Sequence, residues 1–249
     1  MSYLNFLIIF LGIPLAFLIP FYKLSKSQSK KEFFWGIVVL IILAVTYTTP
    51  WDNYLVATKV WWYGPDRVLG TIGYVPIEEY SFFVLQTIMT GLWCYFLQSK
   101  ITLNKSQPRT NPMKKVITTF YFAIFALGVY GLFVENLTYL GLILAWATPV
   151  LLLQWIIGGQ YLIQNLKLFL LTFIPPTLYL WLADAYAIHD QIWSISEVFT
   201  TGIKIVNLPI EEAIFFLVTN LMVAQGLILF VVMEKEVEKV LNFKRRLFA

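Results

Sequence analysis

Two pairs of adjacent glutamates stand at the mouths of apolar runs in this chain, in PIEEYSFFVLQT from Pro76 and PIEEAIFFLVTN from Pro209. Glu78, Glu79, Glu211 and Glu212 are therefore the first candidates for proton chemistry. Apolar surroundings and a neighbouring carboxylate both favour the neutral acid, whereas a helix N-terminus favours the carboxylate. A set of carboxyl groups under such opposing influences can hold an acid and a base at once, the signature of acid–base catalysis. On a helix, residues four apart share a face, so Glu78 stacks over Phe82, Glu79 over Phe83, Glu211 over Phe215 and Glu212 over Phe216. Acid, base and an aromatic wall that steadies a cation suit protonation of an alkene followed by loss of a proton. A plain helix start explains one copy as well, since proline favours the first helical position and acids suit the positive end of the dipole. Repetition of the motif with its neighbours weakens that simpler account.

The similarity extends upstream, where DNYLVATKVWW begins at Asp52 and DAYAIHDQIWS at Asp184. An offset of 132 pairs Asp52 with Asp184, Tyr54 with Tyr186, Trp61 with Trp193 and Gly70 with Gly202. One inserted residue then raises the offset to 133, which pairs Glu78 with Glu211, Glu79 with Glu212, Phe82 with Phe215 and Phe83 with Phe216. Asp52 and Asp184 read either as solvated helix ends or as groups that orient and buffer the glutamates, and they join the catalytic candidates. Phe82, Phe83, Phe215, Phe216, Tyr54, Tyr186, Trp61 and Trp193 are the candidate substrate-binding residues. His189, Asp66, Asp190 and Glu197 have no repeat partner and are expected to be loop residues.

What must position these groups is membrane-spanning. The chain is 59% hydrophobic and 13% charged, with a mean hydropathy of +0.73, against about 25% charged residues in a soluble domain. Seven apolar runs of bilayer length occupy 4–22, 33–49, 77–97, 116–134, 137–157, 168–182 and 210–233. Pro175–Pro176 interrupt the sixth run, which is tolerable where neighbouring helices satisfy the freed carbonyls. The first run lacks a basic leader and a small-residue cleavage site, so it reads as a retained helix. The expected fold is an all-α polytopic membrane protein: a first repeat of three helices (1–110), a linking helix (111–135), a second repeat (136–234) and a basic tail (235–249). An odd linking span gives the two repeats the same orientation, related by a pseudo-two-fold axis along the membrane normal.

The net charge of +4 is placed to orient the protein rather than to bind nucleic acid. Lys23, Lys26, Lys30, Lys31, Lys100, Lys105, Arg109, Lys114, Lys115 and Lys167 lie on one side with the basic residues after position 234, and only Lys59, Arg67 and Lys204 on the other. By the positive-inside rule the C-terminus is cytoplasmic and the N-terminus outside, and the tail has access to anionic lipid. Cys94 is the single cysteine, which excludes an intrachain disulfide and a thiolate metal cluster and leaves it as apolar filler. The linkers 50–75 and 183–208 are long and aromatic-rich. Two readings fit: an interfacial anchoring belt, or segments folded back over a cavity.

The duplicated three-helix unit, with its aspartate-led linker and PIEE before two phenylalanines, resembles the small integral-membrane lycopene cyclases, which include two-subunit bacterial enzymes and the cyclase half of a fungal bifunctional protein. The resemblance implies cyclisation of the linear ends of lycopene to β-rings, giving γ- and then β-carotene, with the motif acids Glu78, Glu79, Glu211 and Glu212 as the functional residues. The reaction is a non-redox isomerisation, formally an intramolecular lyase. No Gly-rich dinucleotide fingerprint follows a strand, so no bound redox cofactor is expected, and no metal. The partners implied are the lipid-soluble carotenoid and membrane lipid, and no oligomeric state is indicated.

Rival readings are weaker. Covalent retinal needs a buried lysine, and 210–233 contains none; a carotenoid-cleaving oxygenase needs several histidines, and the chain has one. Prenyl transfer needs Asp-rich motifs for Mg²⁺, whereas Asp184 and Asp190 are isolated. Cyclisation of C50 carotenoids to ε- or γ-rings, and a proton-coupled transporter with midplane acids, are the standing alternatives.

Overall fold

The computed structural model describes residues 1–25, 29–108 and 110–247; Lys26 and Arg109 of the basic pattern and the last two residues of the tail lie outside them. Among the described residues, seven helices are long and apolar enough to cross a membrane. These are α1 (Tyr3–Leu24), α2 (Lys30–Ala57), α3 (Ile77–Gln98), α4 (Met113–Gly131), α5 (Thr138–Gln164), α6 (Leu166–His189) and α7 (Ile210–Leu247). Between α2 and α3 lie the short strands β1 (Trp61–Tyr63), β2 (Thr71–Ile72) and β3 (Val75–Pro76); between α6 and α7 lie β4 (Trp193–Ile195), β5 (Lys204–Ile205) and β6 (Leu208–Pro209). At about 1.5 Å per residue, the 38 residues of α7 exceed the hydrocarbon core, so the helix runs on into the stretch expected to be a tail.

Helices α2 and α6 extend further than the hydropathy pattern indicates, because their prolines do not end them. Pro175 leaves the carbonyl of Leu171 without its helical donor, and the Trp93 indole on α3 donates to it at 2.8 Å. In α2, the hydroxyls of Thr46 and Thr49 donate to Ile42 and Val45 at 2.7 and 2.6 Å around Pro50. His189 is accordingly the last residue of α6 rather than a loop residue. Both helices end in the same left-handed cap, Lys59 at φ 58° and Gln191 at φ 54°. In each, an N–H reaches back five residues, Val60 to Leu55 at 2.9 Å and Ile192 to Ala187 at 3.0 Å, the bond of a Schellman cap.

Repeat mates touch one another at two levels. Strands β1 and β4 pair antiparallel with Trp62 opposite Ser194, which are mates at the offset of 132. Deeper in the bundle, Gln86 donates to Thr219 at 3.0 Å, and these are mates at 133. A residue meets its own mate only at a two-fold axis, so the pseudo-axis runs through these two pairs, between α3 and α7. Equivalent bonds recur around it. Tyr3 N–H donates to the Arg67 carbonyl at 2.8 Å and Tyr139 N–H to that of Phe199 at 3.0 Å. Tyr47 donates to the Trp146 carbonyl and Tyr179 to that of Phe10, both at 2.9 Å. These bonds equate α1 with α5 at an offset of 136 (Tyr3 with Tyr139, Phe10 with Trp146).

Helix α4 stands outside this symmetry and packs chiefly on α5. A Cβ added to Gly141 would lie 2.7 Å from the Gly131 carbonyl carbon, so only glycine permits this approach of backbones. Elsewhere α4 exposes Phe120, Phe122 and Leu127, as a lipid-facing helix does.

Candidate active site

Each PIEE motif follows a two-residue hairpin turn, β2–β3 or β5–β6, which delivers the proline to the head of α3 or α7. Successive helical residues point about 100° apart, and the two glutamates of each pair take different directions. The first turns back to the loop. Glu78 Oε1 accepts from Leu69 N–H at 2.8 Å, and Glu211 Oε1 accepts from Thr201 N–H and hydroxyl at 2.7 and 2.8 Å. Beside them, Ile77 N–H donates to Gly70 at 3.0 Å and Ile210 N–H to Ile203 at 2.9 Å. Gly70 is thus equivalent to Ile203, not to Gly202, and Gly202, at φ 75°, is the inserted residue.

The second glutamate faces the axis. Glu79 Oε2 accepts from the phenols of Tyr3 and Tyr63 at 2.5 and 3.1 Å, and Glu212 Oε1 accepts from the phenol of Tyr139. Asp52 and Asp184 are buried beside them, 0% and 1% exposed, and are not solvated helix ends. The extensions of α2 and α6 carry them inward. The Trp193 indole donates to Asp184 at 2.9 Å, and Asp184 and Glu212 line the same chamber. The mates differ in that indole bond alone: both carboxyl oxygens of Asp52, the indole of Trp61 and Oδ2 of Asp184 have no hydrogen-bond partner among the described residues. Buried polar atoms without partners are uncommon enough to mark a working site.

Glu79, Asp184 and Glu212 line a chamber of about 20 Å³ whose wall comes from both repeats, with Tyr3, Trp61, Phe82, Trp193, Phe215 and Phe216 among it, while Asp52 is buried outside that wall. That volume is about one water molecule. The paired strands β1 and β4 form its roof. Arg67 fastens the roof, donating to the carbonyls of Met1 and Asp190 at 2.9 and 3.0 Å. The aromatic linkers therefore fold over a cavity with their inner residues, while Trp62 and Tyr74 remain exposed. Burial, with Glu79 adjacent, holds the Tyr63 phenol well above its ordinary range, so it remains a donor.

Tyr54 and Tyr186 do not reach the chamber. Each lies two residues beyond its aspartate, on the far side of the helix, 53% and 43% exposed. Phe83 is buried but lines a separate cavity below. Glu78 and Glu211 are buried and lie outside the chamber wall, so two of the four motif glutamates face the axis, not all four. Asp190 meets Arg67 at 3.6 Å and Glu197 meets Lys204 at 3.6 Å, both outside the wall. Sequence reasoning missed Tyr3, Tyr63 and Tyr139. Tyr3 and Tyr139 carry a usable signal, each heading the first helix of its repeat, whereas Tyr63 is matched by Ile195 and carries none.

Comparison with known proteins assigns this architecture. The lycopene cyclase family model matches residues 2–97 and again 136–231. The chain belongs to the lycopene cyclase family. The two matched segments include Tyr3 and Tyr139 and leave out α4. Similar curated proteins include the lycopene beta-cyclase of Halobacterium salinarum, 43% identical over 92% of this chain and 95% of that protein. The bifunctional lycopene cyclase/phytoene synthase of Aspergillus niger is 38% identical over 86% of this chain and 37% of its own length, and that of Neurospora crassa 38% over 77% and 34%. No solved structure matches the chain.

Proposed function

We propose that this member of the lycopene cyclase family is a lycopene β-cyclase, an isomerase that closes the linear ends of lycopene into β-rings. One observation carries the reading: Glu79, Asp184 and Glu212, drawn from both repeats, converge in one aromatic chamber, and Asp52, the repeat mate of Asp184, is buried outside its wall. In the proposed reaction, a proton from the chamber acids adds to the terminal double bond. The resulting cation is attacked by a neighbouring double bond, which closes the ring and moves the charge, and a ring proton then leaves. Atoms and electrons balance without an oxidant. The shared place of Asp184 and Glu212 in the chamber wall supports this pair as proton donor, since a neighbouring carboxyl group favours the neutral acid. Both phenols bonded to Glu79 reach Oε2, leaving Oε1 to take the departing proton. Phe82, Phe215, Phe216 and Trp61 would stabilise the cation through their faces. Expression in a lycopene-accumulating bacterium, with the pigments separated, tests the reading: β-carotene is expected, and unchanged lycopene overturns it.

The domain division at 110, 135 and 234 belongs to the same proposal, as does an orientation with the chamber and N-terminus outside and the C-terminus cytoplasmic. The basic connections at the end of the bundle away from the chamber support the latter. A Val206→Cys variant, at a residue 88% exposed on the chamber side, should react with an impermeant maleimide in intact cells. Labelling only after lysis would reverse the orientation.

A further inference from the structure

Repeat-related helices enclose repeat-related grooves, and in this molecule the two grooves are unequal. One, of about 330 Å³, lies between α2, α3, α5 and α7; the other, of about 170 Å³, lies against α1, α3 and α6. Their walls are mates. Leu43, Ala44 and Tyr47 correspond to Pro175, Pro176 and Tyr179, Met222 to Met89, and Val150 and Gln154 to Pro14 and Leu18. Trp93 accounts for the difference. Its indole is drawn to the carbonyl that Pro175 frees and fills the smaller groove, whereas its mate on α7 is Gly226, which has no side chain to place there.

Only the larger groove shares a wall with the acid chamber. Phe215 lines both, while its mate Phe82 lines the chamber alone. Phe215 is one plane of an aromatic stack, with Trp51 at 5.8 Å and 7°, and Trp51 with Trp146 at 4.6 Å and 19°. Such parallel faces suit a flat conjugated chain better than a flexible acyl chain. From Phe215 to Val223 the groove follows α7 for about 12 Å. Its mouth lies between Leu43 and Leu153, which both line it and are 55% and 59% exposed toward the bilayer. The chamber itself is too small for a six-membered ring until Phe215 turns aside.

We infer that the larger groove is the seat of the carotenoid's conjugated chain, with Phe215 as the partition past which one end group reaches the acids. The inference rests on the cyclase reading and adds a consequence to it. With a single seat, the second end of the substrate lies out in the bilayer while the first reacts. The half-cyclised product must therefore withdraw, turn end for end and bind again.

The test uses the full chain in a lycopene-accumulating bacterium. Ala44→Trp and Val150→Trp fill the larger groove from opposite walls, and Leu18→Trp fills the smaller one. Each of the first two is expected to lower cyclised carotenoid at least tenfold at an unchanged membrane level, and the third to leave it as in the unsubstituted chain. Normal cyclisation by both larger-groove variants overturns the inference, with loss of a co-purifying phospholipid marking a lipid seat instead. Equal losses from all three variants also overturn it. The unsubstituted protein in liposomes with excess lycopene gives an arm independent of mutant folding. Monocyclic carotene should accumulate beyond one molecule per protein before the bicyclic product appears; bicyclic product from the outset, with no free monocyclic carotene, overturns the single seat. Lycopene left unchanged by the unsubstituted chain defeats the cyclase reading itself, a separate result.

Discussion

Glu→Gln substitution at each motif position should separate the two glutamates of each pair. The change keeps shape and one carbonyl acceptor but removes the titratable group. Glu79→Gln and Glu212→Gln strike residues in the chamber, where loss of an acid or a base costs about 10²–10⁴-fold. Glu78→Gln and Glu211→Gln retain an oxygen for the loop donors and should keep most activity. Truncation to alanine reads the structural role instead. Glu78 accepts one bond, from Leu69, which is itself 71% exposed; water can replace that acceptor, and the loss is about 1 kcal/mol. Glu211 accepts two bonds, from the N–H and hydroxyl of Thr201, so Glu211→Ala should cost about 2 kcal/mol. Pigment separation gives activity, and melting of the purified protein in detergent gives stability. The division of labour is refuted if Glu78→Gln or Glu211→Gln abolishes product while Glu79→Gln and Glu212→Gln do not. Equal loss in all four would also sink it.

Other substitutions probe the chamber and its frame. Tyr3→Phe and Tyr139→Phe each remove a phenol bonded to a chamber glutamate and should slow cyclisation about tenfold, a hydrogen bond of about 1–1.5 kcal/mol; product rates per membrane protein check this. Val206 holds φ at 60°, strained for a β-branched residue, so Val206→Gly should raise stability by about 1 kcal/mol, seen as a higher melting temperature. Trp93→Phe keeps an aromatic ring, though a smaller one, but leaves the Leu171 carbonyl without its indole donor, and should destabilise by about 1–3 kcal/mol in the same melt. Gly141→Ala forces apart the contact with Gly131 and should cost about 1–3 kcal/mol.

The repeat, the seven spans and the acids themselves are legible in the sequence, because charge in an apolar run and a shared offset are one-dimensional signals. Which glutamate of a pair faces inward is not. Both Glu78 and Glu79 are buried, and only the fold of the loop, through Leu69 N–H, claims one and frees the other. The ends of α2 and α6 were hidden by Pro50 and by Pro175–Pro176, which read as breaks; the carbonyl that Pro175 frees is met by the distant Trp93 indole, a partner that no local pattern shows. Tyr3 and Tyr139 escaped notice because their offset of 136 differs from that of the motifs, an effect of loop-length changes between the repeats. The inequality of the grooves likewise needs three dimensions, since Trp93 and Gly226 differ in meaning only once the Leu171 carbonyl is placed beside one of them.

The meeting of Gln86 with Thr219 and of Trp62 with Ser194 implies that neither repeat alone can enclose the chamber. A lone three-helix unit would have to find a second copy in the plane of the membrane and hold it by affinity. Helix α4, fixed to α5 through Gly131 and Gly141, converts that search into a tethered one. Short tethers give effective concentrations in the mM range. The contact along the axis can therefore be individually weak and still stay closed.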